Sequence, residues 1–280
     1  MLYSLLKIGV RVTARLYFSH IKVTGLDHVP ANKPILLLPN HPNSFLDAVL
    51  LEAYFKYPVH SLARGDVFNR AFFARLLSAI HILPIYRITE GKENLSKNNN
   101  TFDTCAQLLE QNKTVLIFPE GRSIPDHELR VFKKGPPRIS ARAWKSNSPA
   151  NELTVIPIGL SYAHFNGAGN TVHIKAGKSY TAQHFNLTQS DAAFVKDFNT
   201  ILYHNIASLI DIPEVAKSKT PAQQWYFEPL YRLCSYLALR VVEDYTFHDS
   251  IRFGLFLFLW PLYSILVAVI GYALLSITFN

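Results

Sequence analysis

Cysteine is nearly absent. Cys105 and Cys234 are the two in 280 residues and lie far apart, so no disulfide framework or thiolate metal site follows from them. A reducing compartment is the default, with both thiols as small buried side chains. Charge is scarce as well: 17% of residues are charged against 49% hydrophobic, greasy for a soluble enzyme. No acidic residue precedes Asp27, and no charged residue of either sign falls within Phe253–Phe279. A Gly-x-Ser-x-Gly elbow is missing too. Ser123 follows Gly121 without the second glycine, which argues against a serine lipase or esterase. There is no arginine-rich tail and no zinc-finger spacing, so a nucleic-acid binder is disfavoured. His127, between Asp126 and Glu128, lacks the helical or paired spacing of a zinc site. No other constellation demands a metal.

What is abundant is positive charge beside apolar surface. Lys and Arg number 28 against 20 Asp and Glu, a formal net charge of +8. The expected partners are therefore an anionic membrane surface or a phosphate-bearing substrate. Residues 1–19 interleave Leu2, Leu5, Leu6, Ile8, Val10, Val12, Leu16, Tyr17 and Phe18 with Lys7, Arg11 and Arg15. The three bases recur every fourth residue and form one stripe opposite an apolar face. Charge within the apolar run and the lack of a small-residue cleavage site argue against a secretory signal. The expectation is an uncleaved amphipathic helix in the membrane interface, its bases toward anionic headgroups. An ordinary helix packed on the domain is the alternative.

At the other end the composition shifts from Trp225 onward, and residues 222–280 read as a membrane-associated region. Residues 253–279 are long enough to span a bilayer, with Trp260 and Tyr263 inside and Pro261 as a site for a kink or a re-entrant turn. Arg240 and Arg252 flank the N-terminal side of this span and no base follows it. That bias places the main domain on the cytoplasmic side of the membrane.

Between these ends, residues 20–215 read as one domain in which strands and helices alternate. Apolar or β-branched runs at 21–25, 35–38, 59–63, 81–87, 114–118, 153–160 and 171–176 predict strands. Helices are predicted over 45–55, 67–80, 102–111 with Thr101 as cap, 138–145, and 188–211 with Thr188 as cap. Residues 90–100 read as a polar surface loop. The fold class is α/β, a mixed sheet flanked by helices.

Two strand ends carry chemistry. Ile35-Leu36-Leu37-Leu38 runs into Asn40-His41-Pro42-Asn43-Ser44-Phe45-Leu46-Asp47. A His at the mouth of a strand-to-helix turn can be a general base, with an Asp six positions on to hold its ring. A helix start with a chance His is the alternative from these residues alone. Thr114-Val115-Leu116-Ile117-Phe118 runs into Pro119-Glu120-Gly121-Arg122-Ser123. There a planar guanidinium suits a phosphate and Gly permits close backbone approach. Arg87 ends another strand, and Phe132-Lys133-Lys134-Gly135 makes a basic loop.

His41 with Asp47, Arg87, Phe118-Pro119-Glu120-Gly121-Arg122-Ser123 and Val155-Ile156-Pro157-Ile158 occur in the order of the four blocks of the glycerolipid acyltransferases. The chain resembles the 1-acylglycerol-3-phosphate and glycerol-3-phosphate acyltransferases over about residues 20–180, and Phe132–Gly135 resembles the basic segment after the third block. One departure is the gap between His41 and Asp47. The usual spacing leaves four residues, whereas here Pro42 to Leu46 make five, a variant similar to one branch of glycerol-3-phosphate and dihydroxyacetone-phosphate acyltransferases. On an ideal helix neither gap puts the two side chains on one face, so the His must sit in the turn before the helix.

The resemblance implies acyl transfer from acyl-CoA or acyl carrier protein to a glycerophosphate hydroxyl. The acceptor is expected to be 1-acyl-sn-glycerol-3-phosphate, the product phosphatidic acid, and the context phospholipid biosynthesis in a membrane. Glycerol 3-phosphate, dihydroxyacetone phosphate or another lysolipid such as an amino-acid lipid remain open acceptors. It implies catalytic roles for His41 and Asp47 and substrate binding by Arg87, Glu120, Gly121, Arg122, Ser123, Lys133 and Lys134. Glu120 is also suited to ordering its own loop. No cofactor beyond the acyl donor is expected. The competing class is a non-catalytic lipid-binding membrane protein.

Overall fold

The computed structural model describes residues 2–69, 71–86, 97–165, 167–214 and 220–278. Seven strands form one sheet: β1 (His20–Thr24), β2 (Ile35–Pro39), β3 (Val59–Arg64), β4 (Ile82–Ile85), β5 (Thr114–Leu116), β6 (Thr154–Tyr162) and β7 (Thr171–Ala176). Their order is β1-β7-β6-β2-β5-β3-β4. Neighbours run parallel except β6 and β7, which pair antiparallel, so the sheet is mixed. The helices are α1 (Leu2–Tyr17), α2 (Ser44–Tyr54), α3 (Ala71–Ala79), α4 (Lys97–Glu110), α5 (Gly135–Trp144), α6 (Asp191–Leu209), α7 (Glu228–Val241) and α8 (His248–Thr278).

The central strand β2 is buried on both faces because its side chains alternate between two cores. Ile35 and Leu37 face a cluster built with Val10, Ala14 and Tyr17 of α1, Leu46 and Leu50 of α2, and Phe253 and Phe256 of α8. Leu36 and Leu38 face a second cluster with Cys105 and Leu109 of α4, Ile139 and Trp144 of α5, and Phe198 and Leu202 of α6. Each fully buried Leu of this kind contributes roughly 1.5–3 kcal/mol of apolar transfer. Leu230 and Cys234 of α7 join the first core, so the C-terminal helices share the packing of the sheet domain.

The chain leaves β2 through α2 toward β3, and leaves β5 through α5 toward β6 on the opposite face. Connections that depart in opposite directions open a crevice at the carboxyl ends of the two strands between them. Both chemical segments sit there, after β2 and after β5.

Several sequence expectations shift against the structure. Thr101 lies inside α4 and does not cap it; its hydroxyl donates to Pro84 O at 2.8 Å. The helix therefore starts within the stretch expected to be loop, and residues 87–96 lie outside the described set. For α6 the cap is Ser190, whose hydroxyl accepts from Ala193 N, while Thr188 Oγ1 is spent on Asn186 Oδ1. The helix expected from 67 begins at Ala71, after a short turn of 3₁₀ helix over Gly65–Phe68. Pro261 neither breaks α8 nor turns it back: the helix runs unbroken from His248 to Thr278.

The basic stripe of α1 is corrected more deeply. Lys7 Nζ donates to Phe55 O and Arg11 Nε to Ala53 O, both at 2.6 Å. A helix C-terminus leaves its last carbonyls without internal partners and carries partial negative charge, so it attracts cations. Two of the three bases thus cap α2 instead of facing headgroups. α1 also exposes apolar side chains, Leu2, Leu5, Ile8 and Val12, alongside Arg11 and Arg15.

Candidate active site

Asn40 fixes the end of β2. Its side chain accepts from Leu160 N and donates to Leu160 O, at 2.6 and 2.9 Å, which locks it onto β6 like another rung of the ladder. His41 follows, and its ring stacks on Phe118, just beyond β5, with centroids 3.6 Å apart and the planes nearly parallel. The Nδ1 atom lies 2.9 Å from Asp47 Oδ2. The five-residue gap is absorbed in the turn: Ser44 takes a left-handed backbone with φ 51°, a conformation that costs a non-glycine residue roughly 1–2 kcal/mol. Its N–H is held there by Ser123 Oγ at 2.7 Å. His41 and Asp47 meet because the turn is strained and braced.

Asp47 is fully buried and all its bonds are donated to it. Oδ2 accepts from His41 Nδ1 and from Asn43 N at 2.8 Å, and Oδ1 accepts from Tyr162 OH at 2.8 Å. Burial pushes its carboxyl above the ordinary range, and these hydrogen bonds pull it back. Since the carboxylate occupies Nδ1, the geometry assigns the proton to that nitrogen and leaves Nε2 as the basic one. The histidine side chain is 15% exposed while Asp47 is shut off from water, so the ring reaches the surface and its orienting partner does not.

Glu120 is buried, 4% exposed, with both oxygens taken. Oε1 accepts from His41 N at 2.7 Å and Oε2 from Arg130 N at 3.0 Å. Burial, with Asp47 nearby adding to it, pushes this carboxyl up to about 7. Ser123, expected to face a substrate, instead turns its oxygen to the N-terminus of α2, whose first donors have no partner inside the helix. Ile124 N reaches His41 O at 3.4 Å. Glu120, Ser123 and Ile124 thus bind the loop after β5 to the histidine turn.

The basic residues lie on the segment between β5 and the start of α5. Gly121 has φ 68°, and a Cβ there would lie 3.1 Å from Lys133 Cγ. The positive φ disfavours any other side chain at this turn, and a Cβ would also need the Lys133 stem to shift slightly. The stem of Lys133 lies against it, and Lys133 N donates to Pro119 O at 2.7 Å. Arg122, Lys133 and Lys134 are all exposed. Arg87 falls outside the described residues. His127 packs its ring against Phe165, centroids 4.9 Å apart, and among the described residues no cluster of three or more His, Cys, Asp or Glu side chains is arranged for a metal ion.

Sequence reasoning missed most of what holds the dyad. Tyr162 had a legible signal: Ile156, Ile158, Leu160 and Tyr162 alternate along β6 onto the face that carries α2. Asn43, Asp249 and Ser250 had none, because they meet only through contacts over 200 residues in length. Asn43 Nδ2 donates to Asp249 Oδ2 at 2.9 Å, and Ser250 Oγ donates to Asn43 O at 3.1 Å while accepting from Leu46 N at 3.0 Å.

A family model described as Acyltransferase matches residues 20–161. Among characterised sequences, the chain is 26% identical over 143 residues to the probable 1-acyl-sn-glycerol-3-phosphate acyltransferase of Mycoplasma genitalium, covering 49% of this chain and 51% of that one. It is 27% identical over 137 residues to the 1-acyl-sn-glycerol-3-phosphate acyltransferase of Pseudomonas aeruginosa, covering 49% and 48%. The chain spans about half the length of these relatives. A solved structure, the 1-acyl-sn-glycerophosphate acyltransferase PlsC of Thermotoga maritima, is similar over 72% of this chain and 78% of its own, with a TM-score of 0.48 and 16% identity. The family match runs from β1 to the end of β6 and takes in His41, Asp47 and the whole loop after β5: this chain belongs to the acyltransferase family.

Proposed function

We propose that this protein transfers a fatty acyl group from a thioester, acyl-CoA or acyl carrier protein, to the free hydroxyl of 1-acyl-sn-glycerol-3-phosphate, giving phosphatidic acid at a membrane surface. The observation that carries the chemistry is the His41–Asp47 pair, 2.9 Å apart just past the carboxyl end of β2, with Asp47 buried behind the ring. His41 Nε2 takes the proton of the acceptor hydroxyl as its oxygen attacks the thioester carbonyl carbon. The C–O bond forms, the C–S bond breaks, and the proton passes from His41 to the departing thiolate. Asp47 stabilises the imidazolium formed between these steps. No protein nucleophile is required.

Arg122 and Lys133, exposed beside the Gly121 turn, bind the acceptor phosphate in this reading, with Lys134 next to them and Arg87 as a further candidate. The acceptor is favoured by the names of the relatives, both 1-acyl-sn-glycerol-3-phosphate acyltransferases. Membrane residence is supported by α8, which makes up nearly all of the one stretch, Tyr245–Ile277, long and apolar enough to cross a bilayer among the described residues. The exposed Leu2, Leu5, Ile8 and Val12 of α1 add a second apolar surface for the interface. The domain faces the cytoplasm in this reading. Arg252 is turned inward, 3.6 Å from Asp249, so the flanking charge asymmetry rests on Arg240.

Membranes containing the protein are expected to incorporate a labelled acyl chain into lysophosphatidate. His41→Ala should lower that rate by about 10²–10⁴ while the protein stays membrane-bound. Product formation that is indifferent to His41→Ala would remove the base from the mechanism. Turnover on glycerol 3-phosphate, dihydroxyacetone phosphate or an amino-acid lysolipid, and not on lysophosphatidate, would reassign the acceptor.

A further inference from the structure

Helix α2 begins without a cap of its own: Asn43 stands at the cap position but its side chain makes no capping bond. The first amides of a helix must find partners elsewhere when they are buried. Here they find them on two distant segments. Ser44 N is taken by Ser123 Oγ, and Leu46 N, which also reaches Asn43 O at 3.2 Å, by Ser250 Oγ. Ser250 is 8% exposed and its hydroxyl is used twice, since it also donates to Asn43 O. One turn of α8 therefore clamps both ends of the Asn43–Leu46 segment, which is the strained segment that separates His41 from Asp47.

Asp249 adds a second hold. It is 2% exposed and accepts from Asn43 Nδ2 and from Tyr17 OH, each at 2.9 Å. Arg252, itself 6% exposed, lies 3.6 Å from it. Asn43 N in turn donates to Asp47 Oδ2. The path from α8 to the dyad is therefore short and wholly hydrogen-bonded: Asp249 to Asn43 to Asp47, and Ser250 to the backbone on either side of Ser44. A helix that served as a tether would not need its first turn buried against the catalytic loop.

We infer that Ser250 and Asp249 are positioning residues for the His41–Asp47 pair, which makes the first turn of the apolar C-terminal helix a part of the catalytic scaffold as well as of the anchor. This rests on the reading of His41 as the general base. Neither residue touches substrate; they act through Asn43 and the left-handed turn at Ser44. A displacement of about 1 Å at such a site can lower a rate by 10²-fold without any loss of binding, so the effect belongs in kcat and leaves KM unaltered.

The test uses the full-length protein in vesicles of phosphatidylethanolamine and phosphatidylglycerol. Ser250→Ala removes the shared hydroxyl and Ser250→Thr restores it. Acyl transfer to lysophosphatidate is measured, together with the rate at which diethyl pyrocarbonate modifies His41, followed by peptide mass spectrometry. Ser250→Ala is expected to lower kcat tenfold to a hundredfold at constant KM and to change the His41 modification rate severalfold, with Ser250→Thr returning both toward wild type. Thermal unfolding of the alanine variant separates positioning from collapse, because a folded variant with impaired kcat is the expected result. Wild-type kcat and wild-type His41 reactivity in Ser250→Ala would overturn the inference. A kcat lowered equally in the alanine and threonine variants, with His41 reactivity unmoved, would overturn it as well. If no acceptor turned over in the wild type, the proposed reaction would fall, while the His41 modification rate would still decide whether α8 positions the ring.

Discussion

Asp47, fully buried, receives three hydrogen bonds, and among the described residues the one from Tyr162 is the hydrogen bond at Oδ1. Tyr162→Phe removes that donor and leaves the oxygen unpaired, a loss of about 1–3 kcal/mol for a buried acceptor. Burial already holds this carboxyl above its ordinary range, and the Tyr162 bond is one of the interactions that lower it. Without that bond Asp47 takes up a proton at a higher pH than in the wild type. A protonated Asp47 no longer stabilises the imidazolium, so the acid limb of the kcat/KM profile moves upward and kcat falls by about tenfold near that limb. A pH–rate profile of Tyr162→Phe with its acid limb where the wild type has it would reduce Tyr162 to packing. At this scale the sequence was partly readable. His41, Asp47 and Glu120 stand in short segments that offer them as candidates, and the resemblance to the acyltransferase blocks singles them out. Asn43, Asp249 and Ser250 become partners only when α8 returns to the start of α2, and no local pattern encodes that meeting.

Elements were legible where one apolar period dominated and unclear where polar residues competed. β2, β6 and β7 follow from their apolar runs. Thr101 and Thr188 looked like caps because each precedes an apolar run, yet Thr101 has its hydroxyl on Pro84 O across to β4, a tertiary bond that overrides the local preference. The stripe of α1 shows a different limit. Its period of four was correct, but periodicity says which residues share a face and not what that face meets. Lys7 and Arg11 meet the last carbonyls of α2, Phe55 O and Ala53 O, so α2 is bound at its N-terminus by α8 and at its C-terminus by α1. Lys7→Ala and Arg11→Ala should each uncap that end and lower stability by about 1 kcal/mol, which for a chain of this size lowers Tm by about 2–4 °C. The two charges stand one turn apart on one face and interact, so the double variant is not expected to equal the plain sum. Exposed Arg15 makes the control: Arg15→Ala is expected to leave Tm unchanged. Thermal unfolding in detergent measures all four variants, and equal Tm values for Lys7→Ala and the wild type would show that these carbonyls are satisfied without it.

For the whole molecule, the division of α8 explains how one helix serves two environments. Phe253 and Phe256 are 2% and 0% exposed in the core, whereas Phe258, Leu262 and Ile265 are 65%, 64% and 62% exposed. At about 1.5 Å per residue, Phe258–Thr278 extends about 30 Å, the thickness of a bilayer's hydrocarbon core. Trp260 and Tyr263 stand near the start of that stretch, where aromatic side chains suit the headgroup level. With α8 in the bilayer as proposed, the domain would rest against the membrane surface, with Ser250 about 12 Å along the helix from Phe258. A lysolipid could therefore present its glycerol hydroxyl to His41 with its acyl chain still in the bilayer. Sidedness is testable because the native thiols are silent: Cys105 and Cys234 are buried, and burial pushes them up to about 12 and about 11, where little thiolate forms at neutral pH. Glu243, exposed in the link between α7 and α8, offers a labelling position on the domain side. In intact expressing cells, Glu243→Cys should resist a membrane-impermeant maleimide and react once the membrane is opened. Labelling of intact cells at the same rate as opened ones would put the domain, and with it the acyl-transfer site, on the outer face.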